Sequence, residues 1–521
     1  MLLQFIVKRE NGVMENQNVD KPNLDGLPAT NALDTIGDLV DLACDTDNLD
    51  LVEHALELAH QLEACGLRDE HRTLLDYFRA NAWACRYQRR YRERDRLWDF
   101  EQPEIQQQIL LLRRAAQGPG FAAIEPTRQC QILTNLGNQF DTVGRFVDAR
   151  ACWSSALAID PKFWMARANR GGGLMFYASA LYDAGHEGVF ALRAHDDLAE
   201  AAQTHGSLDD RGLREVFEQR AEQIAQRYDL DAIRKSYEPM AWPFGQGQTE
   251  QVYRRWCLKH TLFLNPLNDV DPAPIAAQDI LSLPSFVLPA GEPPIVTGMF
   301  NELKQLFASA RWLLWEAMHS EEMHFSDRGV LLFNTLDYPS YGLSVEKAKT
   351  AFRLGYSIFD KIAYFLNFYL GLRVAERQIS FRTIWREKEG GPLRVPIAKS
   401  ENWPLRGLYW LSKDLFEKDV KGTTEPDARA LAELRNHLEH KYVKVHMTSV
   451  PAGGSLFHDN LAYRITRSDL ETKTLRLLQL ARSALVYLSL AMHQEERQRA
   501  KRRNGLSAPI PLDVWRDEWK R

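Results

Sequence analysis

The chain has 521 residues, more than a single hydrophobic core usually serves, so two or three domains are expected. Its hydrophobic and charged fractions, 45% and 26%, are ordinary for a soluble globular protein. A net charge of -5 gives no global pull toward nucleic acid, so any RNA contact must come from a local basic patch. None of the six cysteines forms a C-x-x-C pair, which argues against a zinc module and a disulfide framework and for a reducing compartment. The apolar start MLLQFIV is too short for a signal segment and runs directly into charge.

Residues 1–30 are rich in Asn, Asp, Gly and Pro and read as a flexible leader. From 31 to 235 apolar residues recur at three and four, which predicts nearly continuous helix. Within this stretch Leu133, Leu136, Gly137, Phe140, Gly144, Ala149, Trp153, Ala156 and Pro161 fall at the spacings of a tetratricopeptide unit. Gly137 and Ala149 are small where two helices would press together. Phe140 and Trp153 would fill the groove, and Pro161 would stop the second helix. One such unit cannot bury its own face, so neighbours are expected, with 164–200 as a degenerate copy and 51–115 as further helix pairs. A plain helical bundle is the alternative. A repeat solenoid presents a concave surface suited to a protein partner or trigger.

Residues 236–295 carry several Pro-rich pieces and read as a connecting segment, with Leu262–Asp269 packing on the domain that follows. A second helical unit is expected over 296–500, with helices near 298–320, 344–372, 404–417, 426–444 and 469–495, then a tail over 501–521. The expected class is all-α: an N-terminal helical-repeat solenoid followed by a C-terminal helical bundle. The apolar stretch Ile358–Leu372 is interrupted by Asp360 and Lys361 and is too short to span a bilayer. No membrane association and a cytoplasmic location are expected.

The chemistry concentrates in Arg435-Asn436-His437-Leu438-Glu439-His440. Asn436 and His440 are four apart and share a helix face, so the Asn436 amide is placed to orient the imidazole. Arg435 and His440 are five apart and diverge by roughly 140° on an ideal helix. One helix cannot wrap both around a small group, and a facing copy in a homodimer would supply the missing surface. Arginine offers a permanent charge and a fork that fits phosphate, and histidine moves protons near neutral pH. The pair suits cleavage of RNA through its own 2′-hydroxyl, without a metal or other cofactor.

Arg435-Asn436-x-x-x-His440 resembles the R-N-x-x-x-H core of the HEPN superfamily. The flanking helices, around Tyr356–Ala363 and Leu475–Met492, look similar too. Together with the repeats and the Asn265–Asp269 segment, the chain resembles bacterial proteins that couple tetratricopeptide repeats to a C-terminal HEPN domain. The resemblance implies a bundle that dimerises through this domain, a composite ribonuclease site with Arg435, Asn436 and His440 as its catalytic set, and a place in anti-phage defence or a toxin–antitoxin system.

Three residues stand as supports around that set. His437 would face the same cleft, Glu433 would compensate Arg435, and Asp360 would lie near the motif as an acid on the long helix. Each also has an ordinary reading as surface or salt bridge. Arg497, Arg499, Lys501, Arg502 and Arg503 form a basic run that would contact RNA backbone. His319 and His324 are spaced wrongly for a helical metal pair. The competing function is a non-catalytic adaptor, in which the repeats bind a protein and the bundle only dimerises or binds nucleotide.

Overall fold

The computed structural model describes residues 21–90, 98–204, 211–320, 322–416, 428–448, 459–504, 508 and 510–520. Among the described residues the first half contains ten α-helices: α1 (Ala29–Asp45), α2 (Leu49–Glu63), α3 (Asp69–Arg90), α4 (Pro103–Gln117), α5 (Pro126–Thr142), α6 (Phe146–Ile159), α7 (Trp164–Ala180), α8 (Ala184–Thr204), α9 (Arg211–Arg227) and α10 (Leu230–Ser236). The expected leader falls mostly on residues outside those described.

Local chemistry explains these boundaries. Pro126 opens α5 at a position where a missing N–H costs nothing. Gly144, at φ +85°, turns the chain tightly enough for α6 to fold back beside α5. Trp153 of α6 then sits between two glycines. A Cβ on Gly137 would lie 2.6 Å from its indole nitrogen, and one on Gly173 would lie 2.4 Å from its ring. α5–α6 and α7–α8 are thus successive helical pairs that share one large aromatic wedge. The six cysteines do not all remain single: α1 and α3 bring Cys44 and Cys85 to a Cα separation of 5.3 Å, and a disulfide joins them. Sequence spacing gave no hint of it, because the pairing depends on how α1 lies across α3.

The second half contains α11 (Gln248–Lys259), α12 (Ile295–His319), α13 (Leu343–Tyr369), α14 (Val395–Ala398), α15 (Trp403–Phe416), α16 (Ala428–His440) and α17 (Arg467–Arg502). Two short strands, β1 (Val443–His446) and β2 (Tyr463–Thr466), pair in parallel, Val443 opposite Tyr463 and His446 opposite Thr466. Among the described residues the architecture is all-α apart from this ribbon. The helix expected over 426–444 ends at His440, because β-branched Val443 and Val445 find extended partners in β2. α17 is long and apolar enough to cross a membrane, but 83% of its apolar window is buried inside the fold, so it serves here as the core helix.

The two halves share one continuous core running from Tyr77 to Met492. Buried charges reinforce it. Asp414 of α15 accepts from Arg113 of α4 and from Arg145 ahead of α6. Arg145 also reaches Asp148 at 3.0 Å, and Tyr487 of α17 donates to that carboxylate at 2.9 Å. The Leu262–Asp269 segment is pinned in the same way: Arg482 of α17 donates to the carbonyls of Phe263 and Asn265 and pairs with Asp269 at 2.8 Å. Tyr177 of α7 donates to the same Asp269 at 3.0 Å, so this segment is held by both halves.

Candidate functional site

α16 is positioned by α13. Leu431, Leu434 and Leu438 turn into the core, which leaves the intervening polar residues outward. Arg353, Tyr356 and Asp360 occupy one face of α13 and meet that polar side. Arg353 donates to the Leu438 carbonyl at 2.6 Å, closing the end of α16, and lies 3.9 Å from Glu439. The Arg435 guanidinium lies over the Tyr356 ring, 5.5 Å from its centroid, a cation–π arrangement.

Asp360 belongs to the same cluster. Burial pushes its carboxyl upward, opposed by the Phe381 N–H, which donates at 3.2 Å, and by the positive charge of Arg435. Burial likewise raises the Tyr356 hydroxyl, with Arg435 acting against it. Arg435 is thus half-buried against α13, with a partly desolvated acid beside it.

His440 is the last residue of α16 and is exposed. Asn436, also exposed, accepts from Arg435 at 3.3 Å. Among the described residues it makes no bond to His440, so the orienting contact expected from their four-residue spacing is not formed in a single chain. Arg435 and His440 face different ways, as their five-residue spacing requires.

The supporting residues separate. His437 donates from Nδ1 to the Glu433 carbonyl at 2.8 Å and lies 5.2 Å from the Tyr463 ring of β2. It packs on the ribbon rather than toward Arg435. The Glu433 side chain is exposed. Asp360 lies beside Arg435, whose charge acts on its carboxyl.

The basic run is elsewhere. Arg499 bonds Glu495 and Glu496, and Arg503 bonds Glu496. Arg497 donates to the Leu181 carbonyl of the first half at 2.7 Å. Lys501 and Arg502 remain exposed. Gly355 packs on Leu477 and Leu478, which fixes the level of the motif along α17, and Arg497 lies twenty residues further, about 30 Å along the axis. The run and the motif do not form one surface.

Sequence reasoning missed Arg353 and the role of Tyr356. Their signal was present: positions 353, 356 and 360 fall at helical spacing on one face. It also missed Lys444, whose buried ammonium meets Asp337 at 2.7 Å and Asp459 at 3.2 Å. Although burial works the other way, the bonds from Lys444 and Thr335 hold the Asp337 carboxyl below its usual range.

With this geometry in place, residues 288–495 match the family model described as LA2681-like HEPN. The match contains α12, α13, α15, α16, the ribbon and most of α17, so the similarity read from six residues extends over a domain's length. No curated protein and no solved structure matches the chain.

Proposed function

We propose that this protein is an endoribonuclease that cleaves RNA by attack of its own 2′-hydroxyl, with the N-terminal helical pairs, read as tetratricopeptide-like repeats, sensing a trigger or protein partner. The observation that carries the reading is the placement of Arg435 and His440 within the HEPN-like segment. Arg435 is held on Tyr356 beside Asp360, and His440 is exposed at the helix end.

The steps follow from those groups. One imidazole takes the 2′-hydroxyl proton, and the oxygen attacks the adjacent phosphorus. Arg435 offsets the charge that builds on the phosphoryl oxygens. A second imidazole gives a proton to the departing 5′-oxygen, leaving a 2′,3′-cyclic phosphate and a 5′-hydroxyl. Two histidines are needed and α16 presents one His440, so the site is completed by a second copy in a homodimer. A role in anti-phage defence or a toxin–antitoxin system fits such an activity in the cytoplasm.

A cavity of about 290 Å³ between α5, α7 and α9 supports the sensing role. Asn138, Asn169, Phe176, Gln223 and Arg220 line it. Burial lowers the Arg220 pKa.

One observation favours the adaptor reading. Asn436 engages Arg435 and leaves His440 unoriented. The test is purified protein with RNA in chelator, with the ends mapped. Wild type is expected to cut and leave cyclic phosphate, and Arg435→Ala and His440→Ala are expected not to. Equal cutting by all three sinks the ribonuclease reading. A stable protein partner with no cleavage under any trigger supports the adaptor.

A further inference from the structure

Between α12 and α13 runs a segment whose composition contradicts its surroundings. Val330, Leu331, Leu332 and Phe333 are 57%, 79%, 56% and 79% exposed. In an extended chain successive side chains point to opposite faces, so this strap is uncovered on both. Phe325, Leu336, Tyr338 and Tyr341 add exposed apolar surface on either side. Among the described residues no backbone hydrogen bond ties Leu331, Leu332 or Phe333 to another segment. Four consecutive apolar residues of high strand propensity, with open edges and open faces, form a template for pairing.

The strap is held in place at its C-terminal end. Leu336 and Tyr338 adopt φ of +67° and +51°, a conformation side chains rarely take. Asp337 between them is gripped by Lys444. The Ser340 N–H then donates to the Val445 carbonyl at 2.6 Å. Val445 lies on the ribbon five residues after His440, so the anchor of the strap is tied to the strand that directly follows the motif.

We propose that residues 330–335 form a strand that pairs antiparallel with the same residues of a second copy of this chain, and that this pairing sets the two α16 helices close enough to complete one site. The inference deepens the homodimer reading above and rests on it. Three features choose a second copy over another occupant. No residue from Gly329 to Leu336 is charged, so two identical straps meet without repulsion. An antiparallel strand pair is two-fold symmetric, and each copy offers the same patch to the other. The exposed apolar residues of the strap and its flanks present roughly 1,000 Å² per copy, against about 800 Å² per partner in a standard interface.

The test uses the full chain without RNA. Mass is measured by light scattering for wild type, a Leu331→Lys/Phe333→Lys double variant, and Leu332→Pro, which removes a donor from the strand. Wild type is expected to be a dimer and both variants monomers, with unchanged circular dichroism because every substituted side chain is more than half exposed. An equimolar mixture of Leu332→Cys and Phe333→Cys chains, both in a Cys65→Ser background, is expected to cross-link into a covalent dimer on mild oxidation, because the antiparallel register sets position 332 of one copy opposite position 333 of the other. A wild-type monomer, or strap variants that stay dimeric and a cysteine pair that fails to cross-link, overturns the proposal. Cleavage is scored separately: a strap-dependent dimer that leaves RNA intact supports the strap and sinks the ribonuclease reading, whereas full cleavage by a monomeric strap variant overturns the strap's role in completing the site.

Discussion

Gly144 and Gly407 meet backbone to backbone, and through them the turn between α5 and α6 seats on α15. A Cβ on Gly407 would lie 2.1 Å from the Gly144 carbonyl oxygen, and one on Gly144 would lie 2.2 Å from that of Trp403. Gly144 thus has two duties: its positive φ closes a helical pair, and its bare backbone admits the other half of the molecule. Gly407→Ala is expected to lower stability by about 1–3 kcal/mol through overpacking, read as a shift in the urea midpoint.

Asp414 is the second fastening between the halves. It is 1% exposed and faces both Arg113 and Arg145. Asp414→Ala leaves two buried guanidiniums without their shared anion, and a loss of about 3–5 kcal/mol is expected. Chemical denaturation checks it, and an unchanged midpoint removes the charge cluster as a structural element.

At the motif, His440→Ala is expected to reduce the RNA cleavage rate by about 10²-fold or more, the range for losing a proton-transfer group. Tyr356→Phe keeps the ring under Arg435 and is expected to retain most activity. Tyr356→Ala removes that platform and is expected to weaken RNA binding more than it slows turnover at saturation. Equal behaviour of the two Tyr356 variants in a titration of rate against RNA would falsify the platform role.

His493 gives an acid-sensitive step. Its ring stacks on Tyr182 at 3.8 Å and its Nε2 lies 3.2 Å from the Ser282 carbonyl. Burial depresses its pKa from 6.5 to about 4. Above pH 6.5 the group is neutral in both states and its contribution is fully present. As pH falls from 6.5 toward 4 the unfolded chain takes up a proton that the folded chain refuses, and stability declines by up to about 3 kcal/mol. His493→Phe keeps the stack and is expected to flatten the fall between pH 6.5 and 5, measured by melting temperature across pH.

Much of this was legible from periodicity. The helices of the second half stand close to their expected positions because their apolar faces are regular. The Arg435–His440 stretch drew attention because three residue types with one chemistry occur together. The α5–α6 pair was readable because Gly137, Phe140 and Trp153 each have a steric duty that no other residue type fills as well. By contrast, the end of α16 was overrun, since helical spacing continues past His440 and only pairing with distant Tyr463–Thr466 turns the chain into a strand. The basic run at 497–503 looked like an RNA surface because its partners, Glu495 and Glu496, act on it only when α17 is wound.

The sequence alone determined the helical class, the order of the two halves and the place of the Arg435–His440 stretch on a helix, since these depend on residue type and local spacing. The tertiary structure decided the rest. It placed Arg435 on Tyr356, turned Asn436 away from His440, set the basic run about 30 Å from the motif, and fused the halves through Gly144, Gly407 and Asp414. It also left the strap at Val330–Thr335 bare. Each of these turns on which helix lies beside which, and non-local contact of that kind is written in no window of the chain.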